Sequence, residues 1–420
     1  MTIKPDYYDE FSCIADKCSF TCCKEWKIAV DEKTYNNWIN MPIPKRTGLR
    51  NGIKGKLSDK VRNSEDGTEI ILGTDCMCPF LNEKGLCDIV LEYGEENISH
   101  TCHTFPREVH KDGNRVELTL TMGCPEALDK LWSRERFETV SDDRNRLKAG
   151  ADGNAHRRES EDNPYIYIRD KFINLASDRV YSAEQVIKMC FFILLDIFEK
   201  NPDGVINPQN SVEVNSSQNS DLLIEPQNQE NDMADILQPY FKPEFICKLA
   251  ATIDGAPRDE YDYICEQNEL FLDLADNYRK KHIYSNVLEP LAAIAERFEK
   301  DNELEHFSNV RCNFEPIWEQ NEDKLRLLLC EELYSTLYLP GGDVYTMLLK
   351  LEWIGITFAV LKQMACLKWT ESGKLEYEDL RSIVCVLIRM TGYSEGDIEE
   401  YLENSFEDSV WDWGYMGLIV

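Results

Sequence analysis

Clustered positive charge is what this sequence lacks most. Its 420 residues carry 46 lysines and arginines against 77 aspartates and glutamates, a formal charge of −31. That argues against nucleic acid as a partner, because phosphate binding needs grouped Lys and Arg. An acidic surface suits a basic target instead, such as a lysine-bearing protein, and serves solubility equally well. Long apolar runs are scarce too. The longest strongly apolar stretch, Met189 to Leu195, stops at Asp196, far short of the ~20 residues a membrane span needs. The opening Met1-Thr-Ile-Lys-Pro-Asp-Tyr-Tyr-Asp-Glu10 has early acidic residues and no apolar core of a signal peptide. The expectation is a cytoplasmic chain with no membrane partner, in a compartment where thiols stay reduced. No Gly-x-Gly-x-x-Gly follows a strand pattern, and there is no P-loop and no Gly-x-Ser-x-Gly. The familiar dinucleotide and glycine-rich methyltransferase loops are therefore absent.

What is present is a folded composition, 43% hydrophobic and 10% aromatic, with length enough for two or three domains. Residues 1–135 are rich in cysteine and turns. Gly48, Gly52, Gly55, Gly67 and Gly73 break any long helix there. Val116 to Thr121 alternates as a half-buried strand does, with Gly113-Asn114 as a turn before it. Apolar content collapses after Ser141, so residues 136–163 read as a linker or mobile loop. From Pro164 onward the pattern is helical. Ser182-Ala-Glu-Gln185 is a capping box leading into the apolar positions Val186, Ile187, Cys190, Phe191, Leu194, Leu195 and Phe198. Residues 207–232 are rich in Asn, Gln and Ser and read as a disordered insertion. Further helices are expected near 258–280, 286–300, 316–337, 343–367, 376–391 and 394–405, with Leu339-Pro-Gly-Gly-Asp343 as a helix-breaking turn. The fold class is mainly α: a small cysteine-rich, metal-binding N-terminal region with minor β, then an α-helical bundle domain over 164–420.

Nine of the sixteen cysteines fall in the first 124 residues, in groups. Cys13, Cys18, Cys22 and Cys23 precede Trp26. Cys76 and Cys78-Pro-Phe-Leu81 follow, then Cys87, then Cys102 between His100 and His103, then Gly123-Cys124-Pro125. Thiols so grouped pair as disulfides, hold zinc, or hold an iron–sulfur cluster. A reducing compartment leaves metal. Only Cys18-x3-Cys22 makes a clean close pair for zinc, and adjacent Cys22 and Cys23 cannot easily serve one tetrahedral ion. A cluster tolerates distributed thiols better. A Cys-x3-Cys-x2-Cys triad is absent, since Glu25 stands at its third position. His100, His103 and His110 could ligate or cap, and Arg107 could neutralise an anionic cluster or make a plain salt bridge. Cys190, Cys247, Cys265, Cys312, Cys330, Cys366 and Cys385 stand alone among apolar helical residues and are expected to pack in the core.

The run Phe11-Ser-Cys-Ile-Ala-Asp-Lys-Cys-Ser-Phe-Thr-Cys-Cys-Lys-Glu-Trp26 with Asp31, and the block from Cys78-Pro-Phe-Leu through Gly85-Leu-Cys87 to Cys102-His-Thr-Phe-Pro-Arg107, resemble the flagellin lysine-N-methylases. They are similar also to a broader group of cysteine-rich metal-chelating domains. The resemblance covers about the first 125 residues. It implies transfer of methyl groups from S-adenosylmethionine to lysine side chains of flagellin in the cytoplasm, and a bound iron–sulfur cluster of the 4Fe-4S kind, with zinc as the alternative. It makes Cys13, Cys18, Cys22, Cys23, Cys78, Cys87, Cys102 and Cys124 the metal-ligand candidates. Cys76 fits the pattern less well. The competing reading is a non-catalytic metal-chelating or electron-carrier module that binds a protein partner. The active site is expected where the cysteine-rich region meets the helices, because clefts between domains are favoured ligand sites.

Overall fold

A computed structural model describes residues 1–51, 54–64, 67–141, 163–201, 205–206, 237–298, 304–338, 340–392, 394–406 and 410–420. Most of the expected linker and all of the expected insertion at 207–232 lie outside the described residues. Six strands are present among them: β1 (Thr2–Pro5), β2 (Val61–Ser64), β3 (Gly67–Ile70), β4 (Arg107–Asp112), β5 (Arg115–Leu120) and β6 (Thr139–Ser141). β2 and β3 form a hairpin of their own, and the other four lie in the order β4-β5-β1-β6. β4 and β5 are the hairpin legible in the sequence, with Gly113 at φ +52° in its turn. β1 runs parallel to β5, pairing Thr2 with Val116. β6 pairs antiparallel to the other side of β1.

The N-terminal helices are short: α1 (Glu32–Trp38), α2 (Lys45–Asn51), α3 (Asp88–Tyr93), α4 (His100–Thr104) and α5 (Pro125–Trp132). α2 runs through Gly48 but for only seven residues, and no long helix is described in this region.

The remainder is helical. α6 (Pro164–Ser177), α7 (Ala183–Lys200), α8 (Pro243–Asp254), α9 (Glu260–Arg279), α10 (Ser285–Phe298) and α11 (Leu304–Glu319) lead to α12 (Glu322–Ser335). α13 (Val344–Ser372), α14 (Tyr377–Met390), α15 (Glu395–Phe406) and α16 (Trp413–Ile419) complete it. The capping box at Ser182 forms as read, with both reciprocal bonds to Gln185. The single helix expected over 316–337 is two, because the chain breaks around Asn321. Asp343 closes its turn by accepting from the Thr346 N–H, starting α13.

α13 is the axis of the molecule and packs against α7, α9, α10 and α14. It is long and apolar enough to cross a membrane, but 94% of its apolar window is buried by the surrounding helices. Two of its buried polar residues are paired inside. Lys362 bridges Glu184 and Glu315, each at 3.0 Å. Gln363 links Asn268 and Arg311, each at 2.8 Å.

Buried apolar side chains fall into two cores. The larger joins Ile3, Tyr7, Phe11, Leu120, Leu128 and Leu131 to the long helices. The smaller gathers Ile28, Val30, Trp38, Leu57, Ile70, Cys78, Phe80, Leu81 and Ile89.

Candidate functional site

The thiol-bearing segments meet through backbone pairing. The Cys78 N–H donates to the Cys23 carbonyl at 2.8 Å, and the Glu25 N–H to the Cys76 carbonyl at 2.8 Å. A tight turn after Cys78 then returns the chain. Asn82 Oδ1 accepts from the Lys84 and Leu86 N–H groups, Gly85 takes φ +74°, and Leu81 bridges to Cys87. Cys102 lies in the first turn of α4, where Ser99 Oγ caps its N–H at 3.1 Å. Cys124 is the N-cap residue of α5, just past the end of β5.

Electrostatics identify Cys22 as the hub. Its thiol is raised in pKa first by a hydrogen bond with Cys23 and then by burial. Burial is also the leading cause that lifts Cys18, Cys87, Cys102 and Cys124, and each of these in addition feels Cys22. Cys102 reaches about 11 and Cys124 about 12. Cys78, raised by burial, feels Cys87 and Cys102. Cys13 acts on Cys18. The set is thus two groups sharing Cys22. Cys23, Cys78, Cys87 and Cys102 pack on the smaller core, while Cys18 faces Cys124, which belongs to the larger one. Among the described residues, no three Cys, His, Asp or Glu side chains stand together as a ready metal-holding group. The donor chemistry nevertheless fits a thiophilic metal or cluster. Buried thiols that repel one another as thiolates lose their protons readily only to a cation that replaces them.

His100 and His103 are exposed. Arg107 neither pairs with an acid nor reaches the thiols: it donates to the Phe11 carbonyl at 3.3 Å and lies over the Phe11 ring at 4.8 Å. Cys190, Cys330, Cys366 and Cys385 are buried as expected, but Cys247 and Cys312 are exposed, so core packing does not account for those two. Sequence reasoning missed two residues at the thiols. Cys385 of α14 is fully buried and feels Cys124. Arg389, one helical turn on, donates to the carbonyls of Gly123, Thr21 and Phe20. No local pattern announces either, since both come from a helix that reads as ordinary amphipathic sequence.

A cleft of about 480 Å³ opens between the sheet and α6. Arg115, Phe137, Glu138, Ser141, Asp170 and Tyr334 are among its walls. Behind it, wholly buried Arg169 is held by Glu117. Asp170 keeps 42% of its side chain exposed. Burial pushes its carboxyl up, and Arg169 beside it pulls back only in part. The buried hydroxyls of Tyr334 and Ser141 have no hydrogen-bond partner. The cleft lies where the N-terminal sheet meets the helices. It is not beside the thiols, however. Arg115 begins β5 and Leu120 ends it, so about 16 Å of strand, at ~3.3 Å per residue, separate the cleft from the turn into Cys124. Its lining includes two carboxylates, Glu138 paired with Arg136 and Asp170 with Arg169, and the rings of Phe137 and Tyr334, groups of the kind that receive a cationic side chain.

The comparisons with known proteins agree with one another. Residues 169–419 match the FliB lysine N-methylase C-terminal domain. Over 129 residues, 30% of the chain, it is 32% identical to a Lysine-N-methylase of Salmonella choleraesuis, covering 31% of that protein. The same identity and length relate it to a Lysine-N-methylase of Salmonella typhimurium, again over 31% of it. They relate it also to the Flagellar biosynthetic protein FliU of Salmonella muenchen, over 75% of it. The matched stretch thus spans about a third of the two lysine-N-methylases. No solved structure matches. With the family's C-terminal domain covering more than half of its length, this chain belongs to the FliB lysine N-methylase family.

Proposed function

We propose that the protein is a protein-lysine N-methyltransferase that moves methyl groups from S-adenosylmethionine to lysine side chains of flagellin in the cytoplasm. The observation that carries this is the family match over 169–419, together with relatives named as lysine-N-methylases and as a flagellar biosynthetic protein. Methyl transfer to lysine needs a neutral amine aimed at the sulfonium methyl and a group to take the proton. Asp170 and Glu138 at the cleft would draw in the lysine ammonium, and Asp170, half desolvated, would accept its proton. Attraction between an acidic enzyme and basic side chains is screened, so substrate binding should weaken with salt.

Cys13, Cys18, Cys22, Cys23, Cys78, Cys87, Cys102 and Cys124 would hold the iron–sulfur cluster, with zinc as the alternative. When bound, such a group supplies a crosslink between segments and, if it is iron–sulfur, one-electron chemistry. Its separation from the cleft favours the crosslinking role. Incubating the metal-replete protein with S-adenosylmethionine and purified flagellin, then weighing the flagellin, tests the reading. Added methyl masses that vanish without the cofactor support it, and unchanged flagellin contradicts it.

A further inference from the structure

Arg389 stands in the last turn of α14, hydrogen-bonds two thiol-bearing segments at once and lies near a third. Its Nε donates to the Gly123 carbonyl at 2.8 Å, Nη1 to Thr21 at 3.2 Å and Nη2 to Phe20 at 3.1 Å. Thr21 immediately precedes Cys22-Cys23, and Gly123 immediately precedes Cys124. The guanidinium lies over the Phe20 ring at 4.2 Å and near Phe105 at 5.8 Å, three residues beyond Cys102. Gly123 makes room for this: a Cβ there would come within 3.0 Å of Arg389 Cγ.

We propose that Arg389 is the positioning residue of the thiol site. It fixes the segments bearing Cys22 and Cys124 relative to each other and anchors both to the helical body. The inference rests on the reading of these cysteines as metal ligands. Three donors spread across one planar group, aimed at three carbonyls, hold a geometry that a lysine cannot, because an ammonium gathers its three N–H groups on one nitrogen at the end of a flexible stem. The positive charge also faces a ligand set that becomes anionic when it binds metal. Groups that orient ligands from behind in this way typically contribute tenfold to a hundredfold in metal affinity.

The test uses the full chain, loaded with zinc or reconstituted with iron and sulfide. It compares the wild type with Arg389→Gln, Arg389→Lys and Gly123→Ala. The readouts are the rate of metal loss to a chelator, metal per chain and the absorbance spectrum, with helix content and melting as controls. Arg389→Gln should release metal about tenfold faster or more, and Arg389→Lys should not fully rescue it. Gly123→Ala should speed release with Arg389 still present, and it carries the test should Arg389→Gln fail to fold. Wild-type release rates and spectra in folded Arg389→Gln and Gly123→Ala would overturn the positioning role alone. A wild-type chain that takes up neither zinc nor cluster would overturn the thiol-site reading with it.

Discussion

Arg169, wholly buried in α6, grips both carboxylate oxygens of Glu117 in β5, Nη1 to Oε2 at 2.6 Å and Nη2 to Oε1 at 2.9 Å. This pair fastens the N-terminal sheet to the helices and forms the back of the cleft. Arg115 also meets Glu117 and Asp170 also meets Arg169, so removing one partner should cost less than the about 3–5 kcal/mol of a buried charge left wholly unmatched. Glu117→Gln and Arg169→Met should each lower the melting temperature markedly, while the double variant should lose less than the sum. Additive losses would show that the two side chains act separately.

Acid should weaken the same pair. Burial alone would raise the Glu117 carboxyl, but the Arg169 hydrogen bonds outweigh it and the pKa lies below the ordinary value of 4.5. The stabilisation is therefore present above the unfolded-state pKa and is lost as pH falls through the folded one. Thermal melts below pH 5 should show a steeper loss for the wild type than for Glu117→Gln.

Glu331 predicts the opposite trend at higher pH. Burial raises it to about 8, the Tyr7 hydroxyl bond opposing and the Glu332 and Glu108 charges adding to the rise. The folded state thus keeps a proton that the unfolded chain releases near pH 4.5, and stability falls as pH rises from there to about 8. Glu331→Gln, which can still accept from Tyr7, should flatten melting temperature against pH in this window. An unchanged slope would mean that Glu331 ionises in the fold as it does in water.

Cys18, Cys87, Cys102 and Cys124 all feel Cys22, more than feel any other ligand candidate, so it should matter most. Cys22→Ser, Cys87→Ser and Cys102→Ser should each release metal and destabilise the cysteine-rich region, since metal binding and folding are coupled there. Full metal content in all three would refute the ligand assignment.

Asp170→Asn should raise KM for a lysine substrate about tenfold, the scale of one lost charge-assisted hydrogen bond. An unaltered KM would remove the cleft as the lysine site.

Local signals were legible. The capping box at Ser182, the β4–β5 hairpin and a helix over 343–367 follow from spacing alone, but that α13 is the long apolar axis does not. The grouping of thiols was legible too, because it is written in short intervals. What escaped depends on distant pairing. β1 is four residues ending in Pro5, and it becomes a strand only because β5 and β6, each more than a hundred residues on, supply its partners. Arg389 reaches the thiols across 266 residues from Gly123. The cleft assembles Ile3, Ser141, Asp170 and Tyr334 from four separate segments. Asn321 misled: it stands between two helices where a single one was expected.

The central claim is methyl transfer to lysine, and the most direct measurement is site-resolved mass spectrometry of flagellin treated with the metal-replete protein and S-adenosylmethionine carrying a deuterated methyl group. The account predicts lysine Nε atoms bearing the intact labelled methyl, at a level that falls with added salt and is lost in Cys22→Ser. Flagellin without labelled lysines, at any salt concentration and with the metal site full, would contradict it.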